Sequence, residues 1–113
     1  MKNNLVYLKH ILESVEKIEV FLRGVERNNF LKNALRISAV VRELEIIGEA
    51  ATKVSVAFRE KYSEIPWREM KRTRNFLIHQ YFAVDVKEVW KTVKVDIPQL
   101  KKAVEKVLES FDC

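Results

Sequence analysis

A chain of 113 residues, 48% hydrophobic and 33% charged, is long enough for one domain with a modest core. Its 2 Gly and 2 Pro are too few for the turns of a β-sandwich or barrel and favour a small number of long helices. The formal net charge of +5 is compatible with a polyanionic partner such as RNA or DNA, although a mixed Lys and Glu surface that keeps a protein in solution explains it as simply.

The N-terminal MKNNLVYLKHILES carries charges every few residues and reads as neither a signal peptide nor a membrane span. The single cysteine, Cys113, allows no internal disulfide and fits a reducing cytoplasm. Asn3 or Asn4 is expected to cap a first helix. Its stripe of Leu5, Leu8, Leu12, Val15 and Leu22 is widened by Ile11, Ile18 and Phe21 and broken only by Glu19. Gly24 ends it.

Asn28 or Asn29 is expected to open a second helix. Phe30, Ala34, Ile37, Val41, Leu44, Gly48 and Ala51 form one stripe, and Val40, Ile47 and Val54 form another beside it. Two stripes bury more than half the circumference and predict a central helix. Gly48 costs about 1 kcal/mol against Ala within a helix, and is tolerable where a neighbouring helix must come close. Glu45 and Glu49, four apart, share a face. Two such carboxylates suit a metal or acid-base chemistry, but an ion-paired or solvated face is their more ordinary use.

The pattern lapses from Phe58 to Ile65, and Pro66 opens a third helix that runs to Phe82 with Trp67, Met70, Leu77 and Tyr81 along one side. Asp85 caps a fourth, with Glu88 at capping-box spacing and the Val84–Val89 pair at hydrophobic-staple spacing. The fourth helix buries Val86, Val89, Trp90 and Val93. Asp96 with Gln99, and Val95 with Leu100, repeat the device and predict a second cap at a sharp corner. A fifth helix then buries Leu100, Ala103, Val104, Val107, Leu108 and Phe111. The expected architecture is an all-α, up-and-down bundle of four to five helices in a single domain over residues 1–113.

Pro66 to Phe82 concentrates the chemistry: Arg74, Asn75, His79 and Tyr81 lie on one helix. Successive residues turn by about 100°, so Asn75 and His79 share a face, and Arg74 and Tyr81 lie nearly on one line about 10 Å apart. Arg74 and His79 are about 140° apart, which a straight helix does not stack. A distorted helix, or a second copy of the motif from a symmetric partner, would bring them together. Histidine moves protons near neutral pH, and arginine holds phosphate and stabilises developing charge. Those two roles suffice for metal-free RNA cleavage. The ordinary alternative is a solvated His79 and an Arg74 that stacks, or pairs with Glu45 or Glu49.

The run Arg74-Asn75-Phe76-Leu77-Ile78-His79-Gln80-Tyr81 resembles the Arg-x4-His-x-Tyr signature of HEPN domains. Leu44 to Ala50 (LEIIGEA), Trp67, the RNFLIHQYFAVD run, Val89-Trp90 and Asp96 to Leu100 extend the resemblance to the HepT branch over nearly the whole chain. Where relatives often have a glycine shortly before the Arg-Asn pair, this chain has Lys71-Arg72-Thr73, whose added charge suits RNA. The resemblance implies a HEPN bundle, a homodimer and a metal-independent endoribonuclease toxin of a type VII toxin–antitoxin system, requiring no cofactor. It implies that Arg74 and His79 are catalytic, that Asn75 supports them, and that the site is composed across a dimer interface. The implied partner is a minimal nucleotidyltransferase antitoxin of the MntA type, which silences the toxin by transferring AMP onto Tyr81. The rival implication is a non-catalytic nucleotide- or substrate-binding subunit of a two-component nucleotidyltransferase, and a third is an inactive HEPN scaffold.

Overall fold

The computed structural model describes residues 2–79 and 85–111. In chain order these form α1 (Lys2–Leu22), α2 (Arg27–Leu31), α3 (Ala34–Lys53), α4 (Val56–Lys61), α5 (Trp67–His79), α6 (Val86–Lys91), a π-helical segment (Thr92–Asp96) and α7 (Ile97–Glu109). No strand occurs among the described residues. α6, the π segment and α7 follow one another without a break in right-handed helical backbone, so the architecture is four long rods and the short α2 and α4. The all-α expectation holds.

The rods pack by the faces that their stripes define. Leu8, Ile11, Val15, Ile18 and Leu22 of α1 are buried, and Gly24 leaves the helix with φ of 73°, a conformation that favours glycine. α3 lies between α1 and α5, which makes it central as its two stripes predict, and α7 packs on α1. Its buried face is Val40, Leu44, Ile47, Gly48 and Ala51.

Four local expectations are corrected. Asn3 and Asn4 lie inside α1 rather than ahead of it. Asn4 is buried and bonds Ser55 twice, its Nδ2 donating to Ser55 Oγ at 3.2 Å and its Oδ1 accepting from the Ser55 N–H at 3.0 Å. The central helix opens at Asn33, not Asn28 or Asn29, because Asn33 Oδ1 accepts from the Arg36 N–H at 3.0 Å. Asn28 and Asn29 fall instead within α2, which inserts a fully buried Phe30. The segment after α3 is not patternless throughout: Ser55 Oγ caps α4 by accepting from the Phe58 N–H at 3.2 Å.

The fourth correction concerns the predicted corner at Asp96. Asp85 does cap α6, its Oδ1 accepting from the N–H groups of Lys87 and Glu88. Asp96 has helical backbone (φ −80°, ψ −40°) and its side chain caps nothing. Val95 is 48% exposed, so it makes no staple. Pro98 lacks the N–H that an α-helix needs, and its ring crowds the carbonyl four residues back. The preceding segment widens to a π-turn, in which the Ile97 N–H donates to Thr92 O, and the rod passes the proline unbroken. Buried Val93 and Ile97 hold both sides of this segment on the core. Val84, expected to form the first staple, lies outside the described residues.

Candidate functional site

The site begins with a glycine. α5 crosses α3 at Gly48, where a β-carbon would collide with Arg74 Cβ and sit 2.9 Å from the Met70 carbonyl oxygen and 3.1 Å from Arg74 Cγ. The missing side chain lets the two helices approach closely and seats the root of Arg74 against α3. Buried Met70 and Leu77 fix the rotation of α5. Arg74 is therefore placed by backbone packing before its guanidinium makes any polar contact.

That guanidinium is held from two directions. Nε lies 2.9 Å from Glu49 Oε2, one residue beyond the glycine. Nε is itself buried and its N–H is not aimed well enough for a hydrogen bond, so the contact is an ion pair of close charges. Nη1 makes a long, 3.4 Å contact to Oδ1 of the neighbouring Asn75. The Arg74 side chain is 25% exposed and that of Glu49 51%, which leaves the pair open to a competing anion from solvent. Of the two carboxylates that share a face on α3, the crossing selects Glu49; Glu45 lies a turn away in the same groove.

The groove has a volume of ≈ 420 Å³ and runs over α1, α3 and α5. Tyr7 and His10 of α1 line one side, Arg74 and Ile78 of α5 the other, with Arg42, Glu49 and Lys53 of α3 between them. The His10 ring meets Tyr7 edge-on, centroids 6.2 Å apart. Sequence reasoning did not associate Tyr7, His10, Arg42 or Lys53 with Arg74. No local motif joins them; only the packing register of α1 on α3 does so. A second cleft, ≈ 610 Å³, separates α5 from α6 and the π segment and is lined by Glu69, Asp85, Glu88 and Asp96. Among the described residues no three His, Cys, Asp or Glu side chains converge as metal ligands would.

Asn75 is exposed on α5. His79 is the last residue of that helix; its side chain, and the whole of Tyr81, lie outside the described residues. α5 is regular α-helix throughout, so Arg74 and His79 keep the wide angular separation, about 140°, that their spacing dictates. The backbone of Trp67–His79 shows no distortion that would narrow this angle.

A family model described as ribonuclease HepT-like matches residues 11–107. The chain is 50% identical over 101 residues to a protein of Thermococcus cleftensis named "Probable ribonuclease HepT", a match that covers 89% of this chain and 92% of that one. It is 46% identical over 99 residues to a "Putative RNase" of Methanocaldococcus jannaschii, covering 88% and 91% respectively. A longer protein of that organism, named for gamma-glutamylcyclotransferase and putative RNase, is 44% identical over 107 residues; the match takes 95% of this chain but 48% of that protein, so the chain spans about half its length. No solved structure gives a significant match. No helix among the described residues is long and apolar enough to cross a membrane.

Proposed function

The chain belongs to the HepT-like ribonuclease family and is an RNA-cleaving enzyme, and we propose that it acts as the toxin of a type VII toxin–antitoxin pair. Its site is completed by a second copy of the chain. The observation that carries this reading is the seat of Arg74: a half-buried guanidinium, fixed by the Gly48 crossing, open on a groove, and set on a regular helix whose period puts position 79 about 140° round from it. A two-fold partner is the economical way to join the two groups.

The proposed chemistry needs only this chain's residues. The 2′-oxygen of a ribose attacks the adjacent phosphorus as a base removes its proton, and the bond from phosphorus to the 5′-oxygen breaks as an acid protonates that oxygen. The products are a 2′,3′-cyclic phosphate and a 5′-hydroxyl. His79 and the His79 of a second copy supply base and acid. Arg74 faces the phosphoryl oxygens as negative charge grows on them. Glu49 holds the guanidinium until the phosphate displaces it, and Asn75 supports its far side. AMP transfer to Tyr81 by a nucleotidyltransferase antitoxin would add negative charge and bulk two residues past His79 and shut out RNA.

Cleavage of RNA by the purified protein in EDTA, compared with Arg74→Ala and His79→Ala, tests the reading. The parent cleaves and both variants lose cleavage. A parent that binds nucleotide but leaves RNA intact would instead establish the binding-subunit role. Intact mass after incubation with the antitoxin and ATP tests the modification: a gain in AMP units that is absent in Tyr81→Phe supports it, and a gain retained in Tyr81→Phe refutes it.

A further inference from the structure

Resting on the ribonuclease reading, we infer that the crest of α5 is the track along which a single RNA strand reaches the site, with Arg68, Lys71 and Arg72 as its phosphate contacts. On a regular helix these three, with Asn75 and His79, fall within an arc of about 100°. Arg68 and Arg72 stand four residues apart, about 6 Å along the axis, and the line continues through Asn75 to His79 at the end of the helix. All three cations are exposed. Among the described residues none has an ion-pair partner, whereas Arg74 on the adjoining face is neutralised by Glu49. Residues 80–84, Gln-Tyr-Phe-Ala-Val, add no carboxylate. The positive charge of α5 is therefore concentrated on the crest and is held there by no direct ion pair among the described residues.

The surroundings give the track an edge. Arg72, at the edge of the crest, also lines the cleft on the α6 side, whose other charged groups are Glu69, Asp85, Glu88 and Asp96, all exposed. Four carboxylates repel a phosphate backbone, so a strand that followed the cleft would be disfavoured although the cleft is large. The crest, and the Arg74 groove on its other side, are the route left to a polyanion. Sequence-independent phosphate contacts of this kind set position and affinity, while chemistry stays with the groups farther along the helix.

The test is salt-dependent binding of a labelled single-stranded RNA of about twelve nucleotides. It uses His79→Ala protein, so that the RNA stays intact, with and without Arg68→Gln and Arg72→Gln together. Both changes lie at exposed helical positions, and glutamine keeps helix propensity. Between about 50 and about 200 mM salt, removing two phosphate contacts should lower the slope of log affinity against log salt by about 1.4. In otherwise unaltered enzyme the same pair should raise KM for RNA about tenfold or more while kcat changes less than about twofold. If the parent cleaves RNA but the pair leaves slope and KM unchanged, the track is wrong and the ribonuclease reading stands. If the pair instead changes the oligomeric state, the crest is a protein interface and the track is overturned. If the parent neither binds nor cleaves RNA, both readings fall together.

Discussion

Arg74 meets Glu49 at 2.9 Å and Lys101 meets Glu19 at 3.0 Å, and the two ion pairs have little else in common. The first sits at a helix crossing opened by Gly48, with the arginine Nε buried. The second spans α1 and α7 at the surface, where Lys101 Nζ donates to both oxygens of Glu19 at 3.0 Å. Glu19 interrupts the apolar stripe of α1 because it lies at the stripe's exposed edge, within reach of α7. Contact length does not distinguish a fastening from a reactive group. What separates them is whether the backbone has been shaped to receive the side chain. Arg74 has a glycine cut to fit it; Lys101 has only a partner.

Removing Arg74 should have the largest effect. Arg74→Ala is expected to lower the cleavage rate about 10²–10³-fold, the usual loss when a group that stabilises developing phosphoryl or oxyanion charge is deleted. Arg74→Lys should recover only part, since an ammonium lacks the planar fork. Single-turnover cleavage measures both. If Arg74→Ala cleaves normally and merely melts earlier, the pair is a second fastening and the contrast with Lys101 collapses.

Gly48→Ala tests the seat directly. Alanine favours helix by about 1 kcal/mol over glycine, yet its β-carbon would meet Arg74 Cβ and the Met70 carbonyl, neither of which can swing away. Overpacking should win, with a net loss of about 1–3 kcal/mol and a thermal midpoint several degrees lower. A midpoint that rises would mean α3 and α5 separate without cost. Glu49→Gln should be milder still: kcat falls by up to about tenfold, the worth of one charge-assisted contact in a half-exposed setting, and KM does not rise because a competing carboxylate is gone. Glu19→Gln should leave both constants unchanged.

The long helices, the Asp85 cap, the Gly24 stop and the need for a close approach at Gly48 were legible in the chain, because each rests on periodicity or on a backbone conformation that few residues adopt. The corner at Asp96 was not. Asp-Ile-Pro is the sequence of a capped helix start, and it is equally the sequence of a rod that widens by one π-turn to pass its proline. Buried Val93 and Ile97 decide between these, and that is a tertiary fact. α2 and α4 are too short for a period to register. Within the site, Arg74 and Asn75 stood out by residue type, but the choice of Glu49 over Glu45, and the arrival of Tyr7 and His10 in the same groove, depend on how neighbouring helices are rotated.

The smallest expected effect comes from the surface pair, and it has a sign. Chiefly the hydrogen bond from Lys101 to Glu19, with nearby Glu105 and Glu16 adding to the attraction against some desolvation, raises the Lys101 pKa above the usual lysine value. A raised folded-state pKa means that folding favours the protonated ammonium. Its contribution is complete below the unfolded-chain value, about 10.4, and disappears as pH climbs through the higher folded value. The thermal midpoint of the parent should therefore exceed that of Lys101→Met slightly at neutral pH, and the gap should close only as pH rises past the unfolded-chain value and through the higher folded one. Salt should close it too, since both side chains face solvent. Cleavage at pH 7 should be the same in the two proteins. A Lys101→Met enzyme that folds but cleaves poorly would show that the α1–α7 side of the bundle reaches the site, and the contrast between the two ion pairs would then be one of degree.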